Sequence, residues 1–384
     1  MNLIDLINDE INLFNNEITP ENKKEILKNI KNKIIKEYKN KDFIKSSIYL
    51  SKKYLDNFQK KYTEINKKKK IVDDLMKLEL PEQRTNEWFI QRKKVLTASS
   101  LAAACDKDHF KKKEELIYEK ISTEEKPFVS NPITEWGVKY EEIATKFYES
   151  LNNLKVLEFG MIPHPDFTIF GASPDGICSN DSPPEFIGRM LEIKCPPKRK
   201  FTKTVPEHYK MQVLGQLECC NLEECDFLQV KIEEYNDFED YKKDLYLDVD
   251  ETIKPGINNL HLPKGATVTY KLTNDSNKLN YIYPELFLSN QELDEWLKEK
   301  KQWILNKNYV FVESKYWKIT RYECTLVKRD KKWWLDTCEL ILNFWKDVEY
   351  YKNNLNELLK KIETNKKKKQ KIFNIQDIDE CLID

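Results

Sequence analysis

The sequence predicts an α/β fold, a mixed sheet flanked by helices, with a helical N-terminal extension. Three observations predict it. Six of the eight glycines fall between Gly137 and Gly215, so a 384-residue chain reserves its special backbone geometry for one stretch. Within that stretch the apolar spacing switches from helical to alternating and back, giving an α-β-β-β-α-β order. The first 80 residues hold no glycine and one proline, and their apolar residues recur at helical spacing.

Taken in order, Leu3, Ile4, Leu6, Ile7, Ile11, Leu13 and Phe14 form the first apolar stripe, and similar stripes follow over 25–38 and 43–63. Thr19-Pro20-Glu21 opens a helix, with Thr as N-cap and Pro in the first turn. Residues 1–80 carry 18 lysines against 13 acidic residues, a net +5. They read as a helical appendage or oligomerisation arm with a solvated basic face; the sharper reading is an accessory DNA-binding arm. The main domain is expected over 81–362. Trp88–Cys105 reads as two short helices, the second capped by Thr97-Ala98-Ser99-Ser100. An amphipathic helix follows over 132–151, then β segments at 154–162, 167–173 and 187–194, a helix at 206–222 and a strand at 225–234. Residues 250–286 look like an insertion of turns and short β patterns. A helix at 290–307, a strand at 316–328 and a long helix over 331–362 complete the domain. Residues 363–384, with the run Lys366–Lys371, read as a charged, disordered tail.

Composition narrows the function classes. Lys+Arg and Asp+Glu both number 65, which excludes a uniformly basic nucleic-acid coat and confines any polyanion site to a local patch. No run of 18 apolar residues is present, so no membrane span is expected, and the N-terminus has no secretory pattern. Nine cysteines without a CxxC pair argue against a zinc ribbon, an iron–sulfur cluster and a disulfide framework. Cys219, Cys220 and Cys225 read as small buried apolar residues, and Trp333, Trp334 and Trp345 as core. A reducing, intracellular compartment follows as the expectation.

The chemistry-bearing residues cluster among the glycines. Phe170-Gly171-Ala172-Ser173-Pro174-Asp175-Gly176 ends one strand in a tight turn, and Leu191-Glu192-Ile193-Lys194-Cys195-Pro196 is a second strand stopped by proline. Alternation puts Glu192 and Lys194 on one face and Ile193 on the other. If these two strands pair as a hairpin, Asp175 approaches Glu192, and two carboxylates with a lysine at a strand end suit Mg²⁺. Lys194 would then orient or deprotonate the attacking water. For an isolated D…ExK string, a surface Glu–Lys pair is the plain alternative. Gly137 and Glu141, four apart on a helix, would face the same cleft, with Gly137 allowing close backbone approach. Tyr209, Gln212 and Gln216 share a face of the following helix.

These blocks resemble the lambda-type exonuclease family of PD-(D/E)xK nucleases, the YqaJ-like viral recombinases. The resemblance rests on Glu87-Trp88-Phe89-Ile90-Gln91-Arg92 with Leu96-Thr97-Ala98-Ser99, Trp136-Gly137-Val138-Lys139-Tyr140-Glu141, Ser173-Pro174-Asp175-Gly176, Leu191-Glu192-Ile193-Lys194-Cys195-Pro196 and Tyr209-Lys210-Met211-Gln212. It covers 86–234 and, more loosely, 315–350. It implies a restriction-endonuclease-like core and a metal-dependent deoxyribonuclease that degrades duplex DNA ends from 5′ to 3′ for recombination or repair. Residue by residue, it implies Asp175, Glu192 and the Ile193 carbonyl as ligands of Mg²⁺, or Mn²⁺ as substitute, in a two-ion site. Glu141 would be an outer or second-ion carboxylate, Lys194 would serve the nucleophile and Gln212 would assist. Arg92 and Ser99 would bind the 5′-phosphate of the end. A single-strand annealing protein, a homo-oligomer, and a host cytoplasm or nucleus as location fit the same family. A structure-selective endonuclease on this core and an inactive DNA-end-binding scaffold are the competing readings.

Overall fold

Thr19 and Asn22 make a reciprocal capping box at the start of α2 (Pro20–Glu37), as the Thr-Pro signal predicts. With α1 (Leu3–Asn12) and α3 (Lys41–Met76) it forms the first of two units, Met1–Lys77. The structure is a computed structural model that describes residues 2–14, 18–122, 131–198, 201, 203–250, 252–273 and 275–380. Isoleucines dominate the unit's core: Ile7, Ile11, Ile18, Ile26, Ile30 and Ile34 pack with Leu6 and Leu55. Lys33 reaches the buried Glu10 at 2.5 Å and Lys23 reaches Asp56 at 2.5 Å, fastening α2 to its neighbours. The third helix outruns its expected 43–63 stripe because no glycine or proline interrupts it before Pro81.

The second unit, Leu78–Asp384, is the predicted mixed α/β core. Its elements are α4 (Asn86–Lys94), β1 (Leu96–Thr97), a 3₁₀ turn at Ala98–Ser100, α5 (Leu101–Ala104), α6 (Lys113–Ile121) and α7 (Pro132–Asn152), followed by β2 (Val156–Leu157), β3 (Ile162–Pro163), β4 (Phe170–Ala172), β5 (Gly176–Cys178), β6 (Met190–Lys194) and α8 (Glu207–Cys220). Then come β7 (Glu224–Glu234), α9 (Phe238–Lys243), β8 (Lys264–Leu272), β9 (Asp275–Ile282), α10 (Asn290–Asn306), β10 (Val310–Lys328), α11 (Lys331–Asn353) and α12 (Leu355–Glu380). The larger sheet has the order β2-β5-β6-β7-β10-β8-β9, and β6 runs parallel to β7. A smaller sheet, β1-β4-β3, sits beside it in the chain order.

Strand β6 places the site. Leu191 and Ile193 join Tyr140, Ile143, Ala144, Phe147 and Tyr148 of α7 in one apolar cluster with Leu228, Val230 and Ile232 of β7. Because side chains alternate, Glu192 and Lys194 turn to the other face, where α8 lies. Gly215 on α8 packs against Phe170 of β4, so closely that a Cβ there would stand 2.9 Å from the ring.

Several expectations change in detail. The hairpin partner of β6 is the segment after the Ser-Pro-Asp turn, not the strand before it. Gly176 pairs with Leu191 and Ile177 with Met190, while Phe170–Ala172 belongs to the smaller sheet. The turn passes the chain from one sheet to the other, and Gly176 permits it because a Cβ would meet Val156 at 2.1 Å. Gly137 gives no close backbone approach, since a Cβ there would meet nothing within 4 Å. Its helix borders open space at that point. Residues 250–286 contribute the β8–β9 hairpin, which extends the main sheet beyond β10. The helix expected over 331–362 divides at Asn354, whose backbone leaves the helical region. Helix α12 then runs through much of the 363–384 segment, supported by a Glu363–Lys367 pair of 2.7 Å one turn apart; residues 381–384 lie outside the described ones.

The eight described cysteines are free thiols, with Cys219, Cys220 and Cys225 buried as expected. Trp334 is buried, and it stacks on His164 with ring centroids 5.3 Å apart. Among the described residues no helix is long and apolar enough to cross a membrane.

Candidate active site

Glu192 sits at the centre, 1% exposed, near the end of β6. Gln212 donates to its Oε1 at 2.6 Å and Gln216 to its Oε2 at 2.7 Å. These two amides come from one face of α8, four residues and one helical turn apart. Lys194 Nζ also donates to Glu192 Oε1 and stands 5.1 Å from the centre of the Tyr209 ring. Across the hairpin, Asp175 Oδ2 accepts from the Ile193 backbone N–H at 2.6 Å. The four residues Asp175, Glu192, Lys194 and Gln212 are therefore brought together as the sequence predicts.

The electrostatics show an excess of negative charge. Burial, then the charges of Glu192 and Glu141, push the Asp175 carboxyl well above its ordinary range, against the pull of Lys194 and the Ile193 N–H. Burial also raises Glu141, which Arg84 and Lys194 oppose. Burial works against the charge on Lys194, but Glu192 and Asp175 outweigh it and hold the proton more tightly than on a free lysine. Glu141 lies at the edge of this group, a third exposed, its Oε2 accepting from Arg84 at 3.0 Å.

This donor set fits a hard divalent cation. Among the described residues no group of three or more His, Cys, Asp or Glu forms a ready-made metal cage. The pair Asp175 and Glu192 nevertheless supplies anionic oxygens whose mutual repulsion one lysine does not cancel. The Oε1 of Gln216 is buried beside them without a hydrogen-bond partner. A cation or a water held by one would satisfy both features, and Mg²⁺ is bound in this way, through one or two carboxylates with several waters retained.

Arg92 and Ser99 also meet. Arg92 Nη2 donates to Ser99 Oγ at 3.1 Å, and its guanidinium lies 4.3 Å from the centre of the Trp88 ring. Thr97 Oγ1 stands 3.2 Å from the same Ser99 oxygen. Leaving water lowers the Arg92 pKa to about 10, so it stays charged at neutral pH. The expected second helix is a 3₁₀ turn and a single α-turn, reached through β1, and the exposed Ser99 occupies the turn. Trp88 Nε1 donates to Ser173 Oγ at 3.2 Å, which ties the arginine side to the Ser-Pro-Asp turn.

Sequence reasoning missed three residues. Gln83 donates to the carbonyls of Phe159 and Pro174 at 2.8 and 3.3 Å, bracing the turn that carries Asp175. Arg84, in a left-handed backbone conformation, pairs with Glu141. Lys120 donates to the carbonyls of Arg92 and Val95. None has a signal in the sequence, because each partner lies at least 25 residues away.

The model of the YqaJ-like viral recombinase domain matches residues 87–223. The matched segment contains Arg92, Ser99, Glu141, Asp175, Glu192, Lys194, Gln212 and Gln216. An uncharacterized protein of Acanthamoeba polyphaga mimivirus is 32% identical over 325 residues, which span 78% of this chain and 58% of the viral protein. The chain therefore covers little more than half the length of that relative. The alkaline exonuclease LHK-Exo from Laribacter hongkongensis aligns at 19% identity and a TM-score of 0.40, over 72% of this chain and all of that one. LHK-Exo in complex with dAMP aligns over the same shares at 20% identity and a TM-score of 0.40. A phage-related exonuclease from Haemophilus somnus 129PT aligns at 12% identity and a TM-score of 0.34, over 69% and 96% of the two chains.

Proposed function

We propose that this chain is a metal-dependent deoxyribonuclease that resects duplex DNA ends from 5′ to 3′. The observation that carries the reading is the Asp175–Glu192–Lys194 group around the buried Glu192, buttressed by Gln212 and Gln216, inside the segment that the YqaJ-like domain model matches. Asp175, Glu192 and the Ile193 carbonyl would hold Mg²⁺ or Mn²⁺, with Glu141 serving a second ion. When bound, such ions offset the phosphate charge and make water a stronger nucleophile at neutral pH.

The chain's own groups do the rest. Gln212 and Gln216 keep the Glu192 carboxylate in one orientation, which leaves less rearrangement for the reaction. Lys194, charged and next to both carboxylates, orients the attacking water and balances the negative charge that develops on the phosphate. Removing it should cost ~10²–10⁴-fold in kcat and leave Mn²⁺ affinity near that of wild type, because lysine is not a ligand. Arg92 and Ser99 would receive the terminal 5′-phosphate. An arginine offers a charge-assisted fork to phosphate, and a terminal phosphate carries more charge than an internal one. The 3′ single strand left behind suits a single-strand annealing protein as partner, and the free thiols fit a reducing compartment.

The test is digestion of end-labelled duplexes, with and without a 5′-phosphate, beside a closed circular duplex. We expect Mg²⁺-dependent release from the 5′ ends, faster with the phosphate, and no cutting of the circle. Circle cutting would make the protein an endonuclease. Tight end binding without digestion would make it a scaffold, and undiminished turnover in excess EDTA would overturn the metal mechanism.

A further inference from the structure

Helix α4 ends in an unusual way. Its last residues, Arg92, Lys93 and Lys94, are all cationic, and Val95 leaves the helix in an extended conformation that leads directly into β1. The last carbonyls of a helix lack intrahelical donors, and a left-handed glycine commonly supplies the substitute N–H groups. Here the chain runs straight on, and the donor comes from another helix. Lys120, in the last turn of α6, places its Nζ 2.8 Å from the Arg92 carbonyl and 2.6 Å from the Val95 carbonyl.

The placement is costly for a purely structural clip. Burial, then the charge of Arg92, weaken the hold of Lys120 on its proton, with Lys111 and Lys93 adding to the effect and Glu119 opposing it. A neutral donor would tie the same carbonyls without a further positive charge beside Arg92. What the lysine adds is a fixed end to the turn that carries the guanidinium, in a patch whose positive charge an anion would relieve.

We propose that Lys120 is a positioning residue for end recognition: by holding the carbonyls of Arg92 and Val95 it fixes the direction of the Arg92 guanidinium toward Ser99, and so sets how well a 5′-phosphorylated end is distinguished from a 5′-hydroxyl end. The inference rests on the reading of Arg92 and Ser99 as the 5′-phosphate pocket. It assigns no contact between Lys120 and the DNA.

The experiment is a double-mutant cycle read as a ratio, kcat/KM on 5′-phosphorylated duplex divided by kcat/KM on 5′-hydroxyl duplex, using the full chain. The proteins are wild type, Arg92→Ala, Lys120→Met and the double mutant. We expect Arg92→Ala to collapse the ratio and Lys120→Met to lower it about threefold to tenfold, with no further loss in the double mutant, because coupled residues are not additive. Lys120→Gln, which keeps one donor, should fall between wild type and Lys120→Met, and it replaces Lys120→Met if that protein does not fold. An unchanged ratio in a folded Lys120 variant, beside a collapsed ratio in Arg92→Ala, overturns the positioning role alone. Additive losses overturn it as well, since Lys120 would then act independently of Arg92. A ratio unmoved by Arg92→Ala removes the pocket reading itself and this inference with it.

Discussion

At the scale of single residues, the site stores electrostatic cost for use. Burial and the charges of Glu192 and Glu141 work against the Asp175 charge, and Lys194, bonded to Glu192, offsets this only in part. Replacing Asp175 by Asn removes a carboxyl whose charge its surroundings oppose but retains an oxygen that accepts from the Ile193 N–H. In metal-free buffer Asp175→Asn should therefore gain about 0.5–2 kcal/mol of stability, while nuclease activity falls by several decades. Denaturant melts and end-digestion rates check the two halves; a destabilised Asp175→Asn protein would show that the carboxylate is structural. Lys120 gives a pH prediction. Burial lowers its pKa from an ordinary 10.5 to about 7, so between those values the unfolded chain binds more protons than the folded one. Its contribution makes stability rise with pH across that window and is flat below it. Urea melts at a series of pH values between 7 and 10 should show a shallower rise in Lys120→Met than in wild type.

At the scale of elements, the position of α8 decides whether the glutamines reach Glu192. Gly215 sets that position, because any side chain would press on the fully buried Phe170 ring, itself 5.1 Å from the Trp334 ring. Gly215→Ala should cost about 1–3 kcal/mol from overpacking and lower kcat by displacing Gln212 and Gln216. A melt together with a rate measurement tests this; full activity in a destabilised protein would separate the packing from the catalysis. The same scale explains which parts of the site were legible. Glu192 and Lys194 share a face because strands alternate, and Gln212 and Gln216 share one because helices repeat, so local periodicity alone pairs them. Gln83, Arg84 and Lys120 obey no local period. Gln83, for example, reaches Pro174 across 91 residues, a separation no spacing rule covers.

At the scale of the whole molecule, the two units have separate cores. Residues 1–77 fold around their isoleucines, and the mixed sheet of 78–384 has its own apolar cluster. A protein lacking residues 1–77 should remain folded, with a cooperative melt. If the lysines of α2 and α3 contact DNA, the truncated protein should also show a shallower fall of affinity with salt, because fewer counterions are released. An aggregated truncation would make the helical unit part of the α/β fold, and an unchanged salt slope would leave it an arm with some other task.

The sequence by itself determined the order of most elements, the faces of β6 and α8, the mixed sheet and the identity of the carboxylates and lysine at its centre. These are consequences of periodicity, turn chemistry and short motifs, which act over a few residues. Only the tertiary structure decided that the turn at Asp175 passes from one sheet into another, that β8 and β9 extend the main sheet, and that Arg84 and Lys120 stand against Glu141 and Arg92. The reason is physical. Such contacts arise when elements distant in the chain pack together, and the burial that fixes them depends on the whole core rather than on any local run of residues.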